Sequence, residues 1–215
     1  MISTRDLSGL PDVFRLQKIF QSLATLDSIL SRDWEYRYYS FNSKWDTDEQ
    51  MGSMRNGQGD ELFALFNKTG CFIKGFDHES PMSPYRDVGK KVWDGVMDKV
   101  PQEFFECLTE PALNIKDTTF CIWRRKNDDH WQRGSIAFPE GKDPDGSVYL
   151  LTLLNGNPET YQAWAEEYYE MEISLEAVRK IFEHVPMHVA LVKALNADVS
   201  LEDLNEDLRE IGYPR

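Results

Sequence analysis

The 215-residue sequence predicts an α+β protein, in which an antiparallel β-meander sheet is packed with helices and followed by an all-helical C-terminal portion. Aromatic and β-branched runs between residues 34 and 76 are separated by turn signals, as expected for neighbouring antiparallel strands. An amphipathic segment precedes these runs. After a turn-rich connector at residues 138–146, apolar residues recur at helical spacing almost to the end of the chain. We expect residues 1–139 and residues 140–215 to fold as one cooperative unit.

The first predicted element is a helix at residues 11–31. Pro11 suits its first turn, where the missing N–H is not needed. Apolar side chains recur at i, i+3, i+4, i+7, i+10 and i+14, which places them on one face of a helix. They are Leu16, Ile19, Phe20, Leu23, Leu26 and Leu30.

Four strands are predicted after this helix. Residues 62–66 are continuously apolar, which indicates a central strand that is covered on both faces. The Asn-Gly-Gln-Gly sequence at residues 56–59 is typical of a hairpin turn. The four predicted strands are residues 34–41, 49–55, 62–66 and 71–76.

The remaining elements are predicted from caps and periodicity. Ser83 and Pro84 are typical of an N-cap and a first helical residue, and apolar residues at helical spacing follow them to Val100. A short helix is expected at residues 101–108, and further strands at residues 118–123 and 130–133. Three C-terminal helices are expected to begin near Asn157, Ser174 and Ser200, with Gly212 ending the last.

The composition predicts a folded cytoplasmic protein. Hydrophobic residues make up 41% of the chain, which is sufficient for a sizeable core. No apolar run reaches the roughly 20 residues that a transmembrane helix needs, and residues 1–10 lack the apolar stretch of a secretory signal. The three cysteines form no closely spaced pair, which favours buried, reduced thiols. They are Cys71, Cys107 and Cys121.

The net charge of -13 is concentrated in the C-terminal portion. Residues 1–139 hold 21 acidic and 18 basic side chains, a net charge of -3, whereas residues 140–215 hold 16 acidic and 6 basic side chains, a net charge of -10. Such a field repels nucleic-acid phosphates and anionic lipid and favours a basic protein partner; it also promotes solubility without any partner. The candidate partner-binding residues are Glu202, Asp203, Glu206 and Asp207.

Asp77, His78 and Glu79 form the first candidate catalytic site. Histidine titrates near neutrality, and two flanking carboxylates suit general acid–base chemistry or a metal site. Adjacent residues of an extended chain point to opposite sides, however, so the three side chains cannot converge without a bend. The alternative is a hydrogen-bonded loop whose acids cap turns and the start of a helix.

The helix expected at Pro84 predicts a second type of site at the same loop. A helix N-terminus attracts anions through its free N–H groups and its dipole, although Pro84 removes one of those donors. The candidate ligand-binding side chains here are Lys74, His78, Ser80 and Ser83.

Two further groups contain metal-ligand residue types. Oxygen-bearing side chains crowd residues 46–49 and 56–61, which we expect to share the tip of the meander, but their order departs from that of an EF-hand loop. His184 and His188 have the spacing of two zinc ligands on a helix, but Pro186 lies between them and predicts an interhelical turn. We therefore predict no metal and no cofactor.

Aromatic residues occupy both faces of the first predicted strand. One face would cover the core. The other face would hold either Tyr39 and Phe41 or Trp34 and Tyr36. This second face would be packed under helices or would line a ligand groove near Trp45. No serine-nucleophile, phosphate-loop or dinucleotide-binding motif is present.

At residues 54–57 and 75–84 the sequence resembles uncharacterised bacterial hypothetical proteins of similar length. This resemblance covers about the middle third of the chain and implies a bacterial cytosolic protein, with no reaction, ligand or partner attached. The order of elements, a helix followed by a meander, is also similar to that of small immunity-type domains.

Two functional hypotheses follow. The leading one is a non-catalytic cytosolic interaction protein, immunity- or antitoxin-like in layout, that presents an acidic surface to a basic protein partner. The alternative is a small-molecule-binding protein or hydrolase that uses Asp77, His78 and Glu79. The oligomeric state stays open.

Overall fold

Among the described residues, six antiparallel strands form one meandering sheet, in which each strand pairs with its neighbour in the sequence. The structure is a computed structural model, and it describes residues 1–86, 88–89 and 91–215. The strands are β1 (Tyr39–Asp46), β2 (Glu49–Arg55), β3 (Glu61–Phe66), β4 (Gly70–Phe76), β5 (Phe120–Arg125) and the short β6 (Gln132–Arg133).

In the described part of the chain, one α-helix precedes the sheet and five follow it, which confirms the predicted α+β class. None of these helices is both long enough and apolar enough to cross a membrane. The helices are α1 (Val13–Leu30), α2 (Ser147–Leu151), α3 (Pro158–Tyr169), α4 (Leu175–Phe182), α5 (Val189–Leu195) and α6 (Asn205–Ile211).

β3 is a central strand, as its continuous apolar run predicts. Its side chains alternate between two separate hydrophobic cores, one on each face of the sheet. Leu62, Ala64 and Phe66 belong to the first core. Phe63 and Leu65 belong to the second. Both faces of the sheet are therefore covered at this strand.

The two cores have different covers. The first core includes apolar residues of α1, the sheet and the C-terminal helices in one cluster. The second core lies under the segment between β4 and β5, which buries Val96, Phe104 and Leu113 against the sheet. The first core contains residues of both portions, 1–139 and 140–215. That the two portions unfold together stays a prediction.

Asp27 is a carboxylate buried in the interior of the molecule, on α1. Its Oδ2 atom accepts a hydrogen bond from the backbone N–H of Tyr39 at 2.6 Å, and its Oδ1 atom accepts one from the Tyr161 hydroxyl at 2.7 Å. The side chain thus joins α1 to β1 and α3. Burial raises the pKa of Asp27 to about 7, because desolvation disfavours the ionised form.

β1 begins later than the aromatic pattern predicts. A 3-10 turn occupies Trp34–Tyr36, and its two aromatic side chains are exposed. Arg37 holds this turn, since its guanidinium donates to Ser31 O at 3.0 Å and to both carboxylate oxygens of Asp207. The strand starts only at Tyr39. A contact that is remote in the sequence therefore sets this boundary.

The prediction of a helix after Ser83 is wrong for the described residues. One 3-10 turn, Pro84–Arg86, is followed by turns and loops. Val88 is fully exposed whereas Val96 is buried, so the predicted apolar residues do not share one buried helical face. Gly95 has a φ of 88°, which a right-handed helix excludes. Two residues within the predicted helix lie outside the described residues: Asp87 and Lys90.

The short helix predicted at residues 101–108 is also absent as an α-helix. Two 3-10 turns, Gln102–Phe104 and Glu106–Leu108, stand in its place. Phe104 is buried while Phe105 is exposed. The two short turns bury Phe104 against the sheet, and a longer helix is not required for this contact.

The helix starts at Asn157 and Ser174 are confirmed. The Asn157 side chain accepts a hydrogen bond from Thr160 N at 2.9 Å, and the Ser174 hydroxyl accepts one from Ala177 N at 3.3 Å. These bonds satisfy N–H groups that a helix leaves unpaired at its first turn.

The last helix departs from its prediction at one end only. Ser200 and Asp203 exchange the two bonds of a capping box, at 3.2 and 2.9 Å. A turn follows them, and α6 begins only at Asn205. Gly212 ends the helix in a left-handed conformation with a φ of 72°, as predicted.

We expect the buried carboxyl of Asp27 to make stability depend on pH. Its folded pKa of about 7 lies above the ordinary value of 3.8, so the folded state holds the proton more tightly. The resulting stabilisation is fully present below the ordinary pKa and is lost as pH rises towards 7, by about 4 kcal/mol in total. Urea unfolding at pH 4.5 and pH 8 would measure it. The free energy of unfolding of wild type relative to Asp27→Asn should fall across this interval, and a constant difference would contradict the assignment.

Candidate functional site

Three segments meet at the end of the sheet where β2 joins β3 and where β4 ends. They are the hairpin turn at residues 56–60, the loop at residues 77–80 and the start of the C-terminal portion at residues 143–149. We call their meeting place the loop junction. It contains the candidate catalytic residues Asp77 and His78.

His78 is bound to Asp60 of the hairpin turn. Its Nδ1 atom lies 2.6 Å from Asp60 Oδ1, and its backbone N–H donates to the same oxygen at 2.9 Å. The Asn56 side chain donates to the other Asp60 oxygen at 2.6 Å. The bond to Asp60 raises the pKa of His78, because the carboxylate favours the charged imidazole. The sequence indicated oxygen ligands at this turn but not their pairing with His78.

Asp77 shapes the loop itself. Its Oδ1 atom accepts hydrogen bonds from the backbone N–H groups of Glu79 at 3.0 Å and Ser80 at 3.1 Å. Burial raises the pKa of Asp77 above its usual value. Glu79 points away into solvent, and its carboxylate approaches His78 Nε2 only to 3.9 Å. The three candidate catalytic residues therefore do not converge.

The loop junction ties the meander to the C-terminal portion. The Ser80 hydroxyl donates to Pro144 O at 2.6 Å, and the Thr119 hydroxyl donates to Asp145 O at 2.7 Å. Asp145 is itself buried and accepts a bond from the Ser147 hydroxyl at 2.7 Å. These buried polar groups are satisfied by one another, which is the requirement for burying them.

Gly146 lets this junction close. It has a φ of 75°, and a β-carbon at this position would lie 2.4 Å from Asp77 Cβ. No side chain fits between the two segments at this distance. No local sequence pattern indicates this contact, because it depends on the tertiary approach of residues 69 positions apart.

The predicted anion-binding residues are not arranged around a helix N-terminus, since the helix is absent from the described residues. Lys74 is fully buried, and its Nζ atom donates to Glu61 Oε1 at 2.5 Å between the rings of Phe63 and Phe76. Burial lowers the pKa of Lys74. The Ser83 side chain is buried and accepts a bond from Tyr85 N at 3.3 Å.

One oxygen or nitrogen atom from each of Asp60, Asp77 and His78 lies within 4.8 Å of the others, a separation that one cation can bridge. The same side chains hold the loop together through the hydrogen bonds given above. The half-exposed imidazole of His78 can exchange protons with solvent. The carboxylates of Asp60 and Asp77 accept hydrogen bonds that stabilise the loop.

The two oxygen-rich segments expected to share the tip of the meander lie apart. Residues 46–49 and 56–61 flank the seven residues of β2, so they occupy opposite ends of the sheet. A groove of about 610 Å³, the largest of the cavities described, lies at the first end. Its charged lining is balanced in sign: Lys44, Lys68, Lys126, Asp46, Asp48 and Glu49.

The two candidate histidines of the C-terminal portion bind backbone groups. His184 Nε2 lies 3.0 Å from Lys18 O, and burial lowers its pKa. His188 caps α5, since its Nδ1 atom accepts a bond from Leu191 N at 3.3 Å. These contacts agree with the interhelical turn that Pro186 predicts.

The aromatic residues form a cluster at the edge of the first core. Two residues predicted to line a ligand groove, Tyr39 and Trp45, differ in their exposure. Tyr39 is buried, while Trp45 is 38% exposed near the end of β1. Tyr38 contacts two tyrosines that no sequence pattern marks as part of a site. Its hydroxyl lies 2.7 Å from that of Tyr149, and its ring lies 5.2 Å from that of Tyr168.

The candidate partner-binding acids differ in their availability. Glu202, Asp203 and Glu206 are exposed. Asp207 is only partly exposed and forms ion pairs with Arg37 at 2.5 Å and Arg32 at 3.3 Å. Asp207 therefore serves the contact between α6 and the turn before β1. Asp203 is held in the capping box by Ser200, so Glu202 and Glu206 are the two exposed acids that make no described side-chain bond.

No protein-family model, curated protein or solved structure matches this chain.

We expect Gly146→Ala to destabilise the protein more than Gly57→Ala, its matched control. Both glycines have φ values near 70°, so each alanine costs about 1 kcal/mol in backbone strain. Only Gly146 faces a neighbouring side chain, and overpacking against Asp77 should add about 1–3 kcal/mol to the loss of folding free energy. Urea unfolding of the two variants would measure the difference. Equal losses would show that the segments are not pressed together at Gly146.

We expect the His78–Asp60 bond to stabilise the protein at acid pH. The pKa of His78 is raised in the folded state, so this stabilisation is fully present below the ordinary value of 6.5 and is lost as pH rises through the folded value. The Tm advantage of wild type over His78→Gln should therefore be larger at pH 5.5 than at pH 8.5. His130→Gln is the control, since His130 is exposed and makes no described hydrogen bond. A Tm advantage that is equal at both pH values would refute the coupling.

Proposed function

We propose that this chain is a non-catalytic interaction protein that binds a basic protein partner through acidic surfaces of its C-terminal portion. One observation carries the proposal. Most carboxylates of residues 140–215 are exposed, and many of them have no ion-pair partner among the described residues. They are Glu140, Glu167, Glu170, Glu172, Glu183, Asp198, Glu202, Asp203, Glu206 and Glu210.

Unpaired surface charge of one sign acts over a distance of about a Debye length, roughly 8 Å at physiological salt. It accelerates the encounter with a partner of opposite charge and repels nucleic acid. A cytoplasmic location and a bacterial source fit the proposal, as does the similarity in layout to small immunity-type domains. An antitoxin-like role is one form that such binding would take.

The alternative, a hydrolase or small-molecule-binding protein, has one observation in its favour. Asp60 orients the His78 imidazole, which is 42% exposed, as a carboxylate orients a general base. Against it, the carboxylate oxygens of the loop junction accept bonds that hold the loop. The His78→Gln protein separates the two functions, since an interaction protein would keep its partner after this change.

We expect partner binding to weaken at least tenfold between 50 and 500 mM salt, because long-range attraction is screened. A pull-down from the source cell at low salt, followed by mass spectrometry, would supply the partner for kinetic measurement. Neutralising four acids should reduce the association rate: Glu183→Gln, Glu202→Gln, Glu206→Gln and Glu210→Gln.

The matched control removes the same charge from residues 1–139. It combines Glu35→Gln, Asp94→Asn, Glu106→Gln and Asp129→Asn, all at exposed positions. The control should retain most of the association rate. Recovery of no salt-sensitive partner, or equal slowing by both sets, would leave the acidic surface with a role in solubility alone.

A further inference from the structure

Two tyrosines are exposed beside the buried aromatic cluster yet held in fixed positions. Tyr168, in the last turn of α3, is 40% exposed and stacks on Trp164 at 5.0 Å with an interplanar angle of 16°. Its ring also meets those of Tyr38 at 5.2 Å and Tyr169 at 4.9 Å. Tyr149 is 47% exposed, and its hydroxyl lies 2.7 Å from that of Tyr38. Rigid aromatic rings of this kind lose little entropy on binding.

Three carboxylates surround the same end of α3. Glu167, Glu170 and Glu172 are exposed and have no ion pair among the described residues. The last turn of α3 contains no basic residue, so the negative end of the helix dipole adds to their charge. Acids at a helix C-terminus lower its stability. Glu170 also has a left-handed φ of 53°, where glycine is favoured.

We propose that these five residues form a docking surface for arginine or lysine side chains of a basic protein segment. We name it the α3-end patch: Tyr149, Tyr168, Glu167, Glu170 and Glu172. The inference rests on the proposed function and gives it a location. Cations bind over the face of a tyrosine ring, and carboxylates at its border add charge complementarity.

The α3-end patch fits this occupant better than the acids of α6. Asp207 of α6 is already paired with Arg37 and Arg32, which reduces the negative charge there. The exposed Trp34 lines a small pocket with Asp207 and Glu210, but Arg37 lines the same pocket and would repel a cation. Tyrosine and arginine are enriched among the residues that dominate binding energy at protein interfaces.

Fluorescence anisotropy with two labelled probes, the peptides (Arg-Gly)5 and (Lys-Gly)5, tests the surface at 50 mM salt. Tyr168→Leu should raise the Kd of the arginine peptide at least fivefold, whereas Tyr168→Phe, which keeps the ring, should leave it nearly unchanged. The matched control is Tyr36→Leu, because Tyr36 is an exposed tyrosine outside the patch.

Glu170→Gly separates binding from folding. Glycine removes the strain of the left-handed φ, so the Tm should stay level or rise, while loss of the carboxylate should raise the Kd at least threefold. Glu202→Gln together with Glu206→Gln tests α6 as the alternative location of the docking surface. The control is Glu35→Gln together with Glu106→Gln, since both acids are exposed and lie outside the C-terminal portion.

The outcomes distinguish the two proposals. Weaker binding of Tyr168→Leu and Glu170→Gly, with both controls near wild type, supports the α3-end patch. Loss of binding only in the Glu202→Gln, Glu206→Gln protein overturns the patch and leaves the acidic-surface proposal standing. If wild type binds neither peptide, the patch is overturned, and the acidic-surface proposal is decided by its own partner measurement.

Discussion

The Asp27 carboxylate is the interaction on which much of this architecture depends. It lies buried in the last turn of α1 and accepts one bond from the start of β1 and one from the first turn of α3, so it joins the helix, the sheet and the C-terminal portion. A carboxylate buried in this way is tolerated only because donors surround it. Tyr161, one of those donors, packs against Trp164, and the Trp164 ring stacks on that of Tyr168. A chain of contacts thus connects the buried acid to the Tyr168 ring of the α3-end patch.

Polar groups at the loop junction follow the same physical rule. Asp77, Ser80 and Asp145 are covered when the hairpin turn, the loop and the connector meet, and each finds a partner in another segment or in its own turn. Leaving such a group unpaired would cost roughly 1–3 kcal/mol. Asp77, which resembles a catalytic residue in the sequence, is therefore part of the fold, whereas His78 and Glu79 keep contact with solvent.

In contrast to the paired polar groups of the loop junction, many acidic side chains of the C-terminal portion have no ion-pair partner among the described residues. Its exposed acids outnumber the available cations, and three of them stand at the negative end of α3. Mutual repulsion and the helix dipole both lower stability there. Proteins accept such costs where function requires them. A basic partner would remove both unfavourable terms at once.

The sequence by itself determined the sheet, the apolar face of α1, the central position of β3 and the caps at Asn157 and Ser174, because periodicity and capping act within a few residues. It also indicated the acidic C-terminal portion, since charge is counted directly. Tertiary structure decided the rest. Whether the segment after Ser83 forms a helix, whether His78 meets Asp60, and whether Tyr168 is buried or exposed depend on contacts between residues far apart in the chain. Local propensity carries no information about such contacts, and burial of polar groups and close approach of backbones select among them.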